Sequence, residues 1–219
     1  MNLEKFRNKF IVGEGVDATG KTSVLQLLTN HLNNNGIETV FTYQPGDPNH
    51  GPLAPIFRSF CKDKRWNLEN YTNMFIFLAD RCECVAKVIR PALKAHKTVI
   101  CDRHTYSTIA YQLYGKELIR DLLKDVGKET TLHLLHWFRE PYEDVIPNII
   151  YYFPEKVGSR ENDTNDLFDN ENNTFEKRVK DAYEEMSTMV CLNGRIDRVW
   201  KTVLPGNSAE ETLENLLKL

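Results

Sequence analysis

The sequence predicts an α/β fold in which a mostly parallel sheet carries helices on both faces. Short runs rich in β-branched and aromatic residues recur along the chain, and longer segments with apolar residues at helical spacing separate them. Strands that alternate with helices are typical of βαβ units, whose strands run parallel. The length of 219 residues suits one sizeable core, so we expect a single domain over residues 1–219.

The predicted elements follow from these patterns in chain order. The strands are FIV near residue 10, ETVFTY at 38–43, TVICD at 98–102, NIIYYF at 148–153 and RVWKTV at 198–203. The helices are SVLQLLTNHL at 23–32, the long segment 71–96 and TFEKRVKDAYEEMSTMV at 174–190. Because proline lacks the N–H that a helix needs, we expect Pro91 to bend or divide the second helix. Residues 158–173 are too polar for a core and are predicted to form a mobile loop.

Composition argues against several classes of protein. The net charge of −3 gives no overall nucleic-acid signature, and no run of about 18 apolar residues or signal-peptide pattern occurs. Five cysteines without a CxxC pair suit a reduced intracellular compartment. We therefore expect a cytoplasmic protein that binds neither nucleic acid nor membrane. The histidines outside the later DRH motif lack metal-ligand spacing and are predicted to be ordinary surface or core residues: His31, His50, His96, His133 and His136.

A phosphate-binding loop is predicted over residues 13–23, between the first strand and the first helix. Residues 15–22, GVDATGKT, fit GxxxxGK[ST], in which glycines let backbone N–H groups surround phosphate oxygens at a helix N-terminus. Lys21 would reach the β- and γ-phosphates, and the Thr22 hydroxyl suits Mg²⁺. The alternative is an ordinary glycine turn before a helix. The predicted phosphate contacts are Gly15, Ala18, Thr19, Gly20, Lys21, Thr22 and Ser23.

The rest of the chain favours a small kinase over other users of nucleoside triphosphates. No DxxG switch follows the loop, no NKxD guanine reader occurs, and the chain is short for a motor or transporter ATPase. In TVICDRHTYSTIAYQ, residues 98–112, a buried strand ends in Asp102 and Arg103, which places both at the ligand-binding edge of the sheet. Arg103 can bridge two phosphates, and Asp102 can hold Mg²⁺. In the alternative interpretation, Asp102 caps a helix and pairs with Arg103 on the surface.

The motifs of this chain resemble those of the thymidylate kinases. GEGVDATGKT, YQPGD, FLADR, DRHTYSTIAYQ and DLFDNENNTFEKRVKDAY occur in the order in which that family carries FEGxDGxGKT, REPGG, FxxxxR, DR(Y/H)xxSxxAYQ and its lid segment. The resemblance covers nearly the whole chain. It implies a three-layer nucleoside monophosphate kinase fold with a five-stranded parallel sheet and a mobile lid at about 154–173. It also implies an enzyme that phosphorylates dTMP in deoxynucleotide synthesis, with ATP as donor, Mg²⁺ as cofactor and a homodimer as its assembly.

The resemblance also implies how the acceptor nucleotide is bound. Asp17 would accept a hydrogen bond from the 3′-hydroxyl, and Tyr111 would pack against the sugar where a 2′-hydroxyl would lie. Phe77 would stack on the pyrimidine and Arg81 would bind the thymine O4, and their i, i+4 spacing places them on one helix face. Taken alone, Phe77 is better interpreted as a core aromatic, and it is Arg81 together with the DRHTYSTIAYQ motif that favours a role at the base. The remaining acceptor residues implied are Arg58, Arg103, Ser107, Thr108 and Gln112.

Catalysis should also need a cation from the lid. Some thymidylate kinases carry an arginine in the phosphate loop directly after the aspartate, and others supply it from the lid. Because that loop position is Ala18 here, the resemblance implies that the lid supplies the cation. Arg160 is the predicted catalytic residue, with Lys156 as second choice, and the alternative is that Arg160 is a solvated surface charge.

The chain departs from the family pattern at several positions. Gly13 replaces the usual phenylalanine, and Leu167 replaces an arginine in the lid. Tyr43 and Gln44 replace the arginine and glutamate of REPGG, and Asp47 replaces a glycine. We expect this exchange to remove one positive and one negative charge from near the acceptor site and to add a carboxylate there. These changes leave other hypotheses open: a kinase for another or a modified pyrimidine deoxynucleotide, such as dUMP or 5-hydroxymethyl-dUMP, or a nucleotide-binding module with diverted catalysis.

Overall fold

The computed structural model describes residues 2–137, 144–155, 172–188 and 199–219. Five parallel strands form one sheet in the order β2-β3-β1-β4-β5, with helices packed against it, which confirms the predicted fold class. The strands are β1 Phe10–Glu14, β2 Thr39–Tyr43, β3 Thr98–Asp102, β4 Ile149–Tyr152 and β5 Val199–Thr202. Each strand overlaps its predicted segment. Among the helices of the described residues, none has the length and apolar character needed to cross a membrane.

The helices lie in the connections between successive strands, except the last, which follows β5. They are α1 Lys21–Asn34, α2 Ala54–Lys62, α3 Asn70–Cys84, α4 Arg90–Lys94, α5 Thr105–Thr108, α6 Leu118–Trp137, α7 Asn172–Thr188 and α8 Ala209–Lys218. A π-helical segment, Val85–Ile89, joins α3 to α4, and a second, Ile109–Gly115, continues α5. Pro91 lies in the first turn of α4, directly after the first π-helical segment, and Cys84, Ile89 and Arg90 at the junctions keep right-handed helical backbone angles. The long predicted helix therefore continues through a π-helical turn before the proline and is not divided in two. The helices α2, α5, α6 and α8 were not predicted.

Apolar residues cover both faces of the sheet. On one face Ile11 and Ile100 pack with Leu25 and Leu28 of α1 and with Leu216 of α8. On the other face Phe10, Val12, Val99 and Cys101 pack with Val85 and Ile89 of the first π-helical segment. All residues of β1, β3 and β4 are buried, as expected for parallel strands covered on both sides.

The strand register brings polar residues to one edge of the sheet. Gly13 pairs with Asp102, Tyr43 also pairs with Asp102, and Glu14 pairs with Tyr152. Parallel strands share their carboxyl edge, and ligands bind there in open α/β sheets. The phosphate loop, the turn after β2 and the start of α5 therefore leave the sheet side by side.

We expect Leu28→Ala to lower the free energy of unfolding by about 2–5 kcal/mol, because it removes a fully buried side chain between α1 and the sheet. Gln26→Ala, at an exposed position of the same helix, is the control and should change the value by less than about 0.5 kcal/mol. Urea unfolding followed by circular dichroism measures both. Equal effects of the two changes would contradict the packing of α1 described above.

Candidate active site

The phosphate loop leaves β1 at Glu14 and enters α1 at Lys21. Gly15 has a φ of 144°, and a Cβ atom there would lie 2.3 Å from the carbonyl oxygen of Phe153, so only glycine fits. Ala18 and Gly20 adopt left-handed conformations with φ values of 60° and 76°. This path turns the loop at the N-terminus of α1, where unpaired helical N–H groups favour anions.

Lys21 and Thr22 meet Asp102 at the centre of the sheet edge. The Lys21 side chain is buried, and its Nζ lies 3.5 Å from Asp102 Oδ1. Thr22 Oγ1 donates to Asp102 Oδ2, whereas the buried Oδ1 accepts no hydrogen bond from the described residues. Burial, followed by repulsion from Arg103, holds the pKa of Lys21 below its ordinary value. A buried carboxylate oxygen beside a hydroxyl fits a Mg²⁺ ion, which prefers such ligands.

Arg103 lies between the phosphate loop and α5. Its Nη2 donates to Asp17 Oδ1 at 2.7 Å, and its Nη1 donates to Ser107 Oγ at 3.1 Å and to Tyr183 OH at 3.2 Å. The guanidinium also lies 5.1 Å from the centre of the Tyr111 ring. Asp102, by contrast, is buried and hydrogen-bonds to Thr22. This geometry differs from the alternative prediction of a surface pair between Asp102 and Arg103.

Glu14 joins three segments around this arginine, and sequence analysis gave it no role. Its carboxylate is fully buried. Oε1 accepts from the backbone N–H groups of His104 and Ser107, at 2.9 and 3.3 Å. Oε2 accepts from Ser107 Oγ at 2.6 Å and from Tyr183 OH, in α7, at 3.0 Å. An acidic residue at the end of a buried strand was the available signal, because such a group requires several donors.

Asp17 and Tyr111 face the same space as Arg103. Asp17 is largely exposed, and its Oδ2 accepts from Tyr111 OH at 3.5 Å. Burial raises the pKa of Tyr111 to about 12, so its hydroxyl remains protonated and able to donate at neutral pH. The structure therefore brings together the residues predicted to contact the sugar and the acceptor phosphate.

Arg81 lies deeper in the molecule than the base-binding prediction required. It is only 1% exposed, and it donates through Nε to Gln44 Oε1 at 2.9 Å. Its Nη1 donates to Thr108 Oγ1 and its Nη2 to the carbonyl oxygen of His104, each at 2.8 Å. Gln112 is buried one helical turn after Thr108. Phe77, one turn before Arg81, is half-buried and belongs to none of the apolar clusters formed by the described residues.

The turn after β2 differs from the expectation that Asp47 adds a carboxylate to the acceptor site. Asp47 is 2% exposed, and its Oδ2 accepts from Thr42 Oγ1 at 2.8 Å while Oδ1 accepts from the Asn49 N–H. The Asp47 carboxylate is therefore buried against Thr42 and does not face solvent. The Arg58 side chain donates to the carbonyl oxygen of Pro45 at 2.8 Å and lies over the Tyr43 ring.

The predicted lid lies mostly outside the described residues. Its candidate cations, Arg160 and Lys156, lie outside them as well, as does most of the segment 154–173.

Within the described part of the chain, no group of three or more histidine, cysteine, aspartate or glutamate side chains is arranged to hold a metal ion.

Comparison with known proteins identifies the family. A sequence model described as thymidylate kinase matches residues 14–195. The thymidylate kinase of Desulfovibrio desulfuricans is 32% identical over 185 residues, which cover 81% of this chain and 82% of that protein. The thymidylate kinase of Trichormus variabilis is 31% identical over 207 residues, or 89% and 93% of the two chains. The crystal structure of thymidylate kinase from Ehrlichia chaffeensis matches with a TM-score of 0.69 and 26% identity over 97% of both chains.

These similarities agree with the motifs and with the geometry. The matched residues contain most of the phosphate loop, the Asp102 and Arg103 pair and the α7 helix that carries Tyr183. The prediction of an ATP-using phosphotransferase of the nucleoside monophosphate kinase type is confirmed. The chain belongs to the thymidylate kinase family.

Proposed function

We propose that this chain transfers the γ-phosphoryl group of ATP to the phosphate of dTMP, and that Lys21, Asp102 and Arg103 carry out the transfer. The observation that carries the assignment is the position of Arg103, whose guanidinium lies between the phosphate loop and the residues proposed to contact the acceptor. A planar cation at this position can bond phosphate oxygens of donor and acceptor together.

The donor side would be formed by the phosphate loop. Backbone N–H groups at 15–23 would surround the β- and γ-phosphates, and Lys21 would neutralise charge on the transferred group. Its burial supports this role, because electrostatic interactions are stronger where water is excluded. Thr22 and Asp102 would hold a Mg²⁺ ion. When bound, Mg²⁺ would neutralise charge on the β- and γ-phosphate oxygens.

The acceptor side needs binding groups and no general base. A nucleoside monophosphate is already an anion at neutral pH, so the enzyme's task is to align an acceptor oxygen with the γ-phosphorus and to exclude water. We propose that Arg58 and Arg103 bind the acceptor phosphate, whereas Asp17 and Tyr111 bind the sugar. The cluster of Asp17, Tyr111 and Arg103 supports this division of roles.

The base would lie against Phe77 and Arg81. Phe77 and Arg81 lie one helical turn apart on α3, and the Arg81 guanidinium is held by Gln44, Thr108 and the His104 carbonyl oxygen. We propose, from the resemblance to the family motif, that Arg81 recognises a 4-keto group when the nucleotide binds. Ser107, Thr108 and Gln112 would complete this pocket. Homodimer formation, the cytoplasmic location and the lid cation Arg160 stay predictions from the sequence.

We expect dTMP to be the preferred acceptor, because Arg81 favours a 4-keto pyrimidine and Tyr111 leaves little room for a 2′-hydroxyl. Coupled ADP production with Mg-ATP measures this for dTMP, dUMP, 5-hydroxymethyl-dUMP, dCMP, dGMP, dAMP and UMP. A preference for another acceptor would instead make Tyr43, Gln44 and Asp47 the specificity determinants. No turnover with any acceptor would refute the kinase assignment in favour of a nucleotide-binding module.

We expect Lys21→Ala to lower kcat by roughly 100-fold or more, because it removes a buried cation beside the transferred phosphoryl group. Binding of dTMP, measured by calorimetry, should persist, since Lys21 is not among its proposed contacts. The control is Lys94→Ala, at an exposed position of α4, which should leave both quantities unchanged. Retained turnover in Lys21→Ala would contradict the proposed role of the phosphate loop.

We expect Asp102→Asn to raise the Mg²⁺ concentration that gives half-maximal activity, because an amide is a weaker ligand for a hard cation than a carboxylate. Titration of activity with MgCl₂ measures the effect, and EDTA should abolish activity in both proteins. If the variant had reduced but measurable activity at every Mg²⁺ concentration while its half-saturation point stayed at the wild-type value, Asp102 would not hold the metal.

A further inference from the structure

A buried polar cluster packs against the turn 44–47, and the proposed mechanism gives it no role. We call it the His50 cluster, and its members are Thr42, Asp47, His50 and Asp80, each at most 2% exposed. His50 Nδ1 lies 3.1 Å from Asp80 Oδ1, and His50 Nε2 lies 3.0 Å from Thr42 Oγ1. The Thr42 hydroxyl lies in turn 2.8 Å from Asp47 Oδ2. Two buried carboxylates therefore flank one imidazole ring.

The directions of these hydrogen bonds determine the charge of His50. A hydroxyl has a single proton, and Thr42 donates it to the Asp47 carboxylate, so Thr42 must accept from Nε2–H. Asp80 Oδ1 accepts from the Gly46 N–H at 3.0 Å and, as a carboxylate oxygen, accepts from Nδ1–H as well. Protons on both ring nitrogens make His50 an imidazolium cation.

The electrostatic surroundings agree with this charge. Burial acts to lower the pKa of His50, but the hydrogen bond to Asp80 and the electrostatic effect of Asp80 and of the adjacent Cys84 thiol outweigh burial and raise the pKa to about 10. The cation also offsets the charge of the buried Asp80 carboxylate, which it contacts directly. The cluster is therefore expected to keep its charges at neutral pH.

The His50 cluster connects two walls of the acceptor pocket. Asp80 belongs to α3 and directly precedes Arg81, and the same Asp80 oxygen that faces His50 holds the backbone of Gly46 in the turn. At Gly46 a Cβ atom would lie 2.4 Å from the Arg58 Cβ, so turn and α2 are in close contact. The turn also presents Gln44 to Arg81 and the Pro45 carbonyl to Arg58.

We propose that His50 is a positioning residue for the acceptor nucleotide, a buried cation that ties the turn 44–47 to α3 and so holds Arg58 and Arg81 in place. The proposal rests on the proposed function, since it assigns these two arginines to acceptor binding. His50 touches neither substrate in this scheme. Its loss should therefore affect acceptor binding more than the transfer step or the binding of ATP.

Two variants separate the bonds that His50 makes. In His50→Asn the side-chain amide nitrogen lies near the position of Nδ1 and can still donate to Asp80. In His50→Gln the amide nitrogen lies near the position of Nε2, so it can donate to Thr42 but not to Asp80. We expect His50→Gln to raise the KM for dTMP on the order of tenfold, with little change in kcat or in the KM for ATP. His50→Asn should raise it less. His133→Gln, at an exposed position of α6, is the control and should match the wild type.

Several outcomes would overturn the proposal. A wild-type KM for dTMP in a folded His50→Gln protein would do so, as would equal losses for both substrates or a greater loss in His50→Asn. If circular dichroism shows that His50→Gln does not fold, the comparison of His50→Asn with wild type decides by the same criterion of a selective rise in the KM for dTMP.

A measurement on the unliganded wild type tests the cluster without any variant. We expect ¹⁵N NMR to show protons on both ring nitrogens of His50 at a pH of about 8, below its pKa of about 10. One unprotonated ring nitrogen would overturn the assignment of a buried cation. This result does not depend on turnover, whereas a wild type that fails to phosphorylate any monophosphate would refute the proposed function instead.

Discussion

The carboxylate of Glu14 closes the central strand of the sheet and receives four hydrogen bonds from two other segments. Two come from backbone N–H groups at the start of α5, one from the Ser107 hydroxyl and one from Tyr183 of α7. A fully buried carboxylate is stable only when its acceptor capacity is satisfied, so these segments are held at fixed distances from β1. Ser107 and Tyr183 are also two of the residues to which Arg103 donates, so the position of the arginine depends in part on Glu14.

Charge is balanced around this framework before any ligand binds. Lys21 faces Asp102, and Arg103 faces Asp17, so two cations that repel one another each have a carboxylate partner. Anionic phosphates can then exchange with these carboxylates with little rearrangement of the cations. Such preorganised charge is the main source of catalytic stabilisation when the reaction itself needs little covalent participation by the protein.

The features that sequence could predict are those encoded in short stretches of the chain. The five strands, the phosphate loop and the pair Asp102 and Arg103 each lie within a few consecutive residues, so periodicity and motif spacing identify them. Glu14 and His50 acquire their roles from partners up to 169 and 30 positions away, and no local pattern encodes such contacts. His50 was accordingly interpreted as an ordinary histidine, and Asp47 as a carboxylate of the acceptor site. The helix α6 escaped prediction partly because Gly127, with a φ of 77° and a ψ of 170°, interrupts its pattern.

The altered turn after β2 keeps its hydrogen bonds although its charges have changed. Gln44 stands where the family pattern has glutamate, and its Oε1 still accepts from Arg81 Nε, as a carboxylate oxygen would. Its amide nitrogen lies 3.3 Å from His104 Nδ1, a contact that requires this ring nitrogen to accept. Burial and the nearby Arg81 hold the pKa of His104 well below its ordinary value, so that imidazole is neutral and can accept.

Gln44 lacks the negative charge that a glutamate would place beside Arg81, and the nearest buried carboxylates belong to other residues. Asp80 and Asp47 carry two buried negative charges behind the turn, and His50 and Arg81 carry two buried positive ones. Burial acts to raise the pKa of the adjacent Cys84 thiol, but hydrogen bonds with Cys101 and His50 outweigh it and lower that pKa. Relative to REPGG, Tyr43 removes one positive charge, Gln44 removes one negative charge and Asp47 adds one. The added carboxylate is buried and hydrogen-bonded, and the turn still presents acceptors to Arg58 and Arg81. This arrangement is consistent with an acceptor site that binds dTMP.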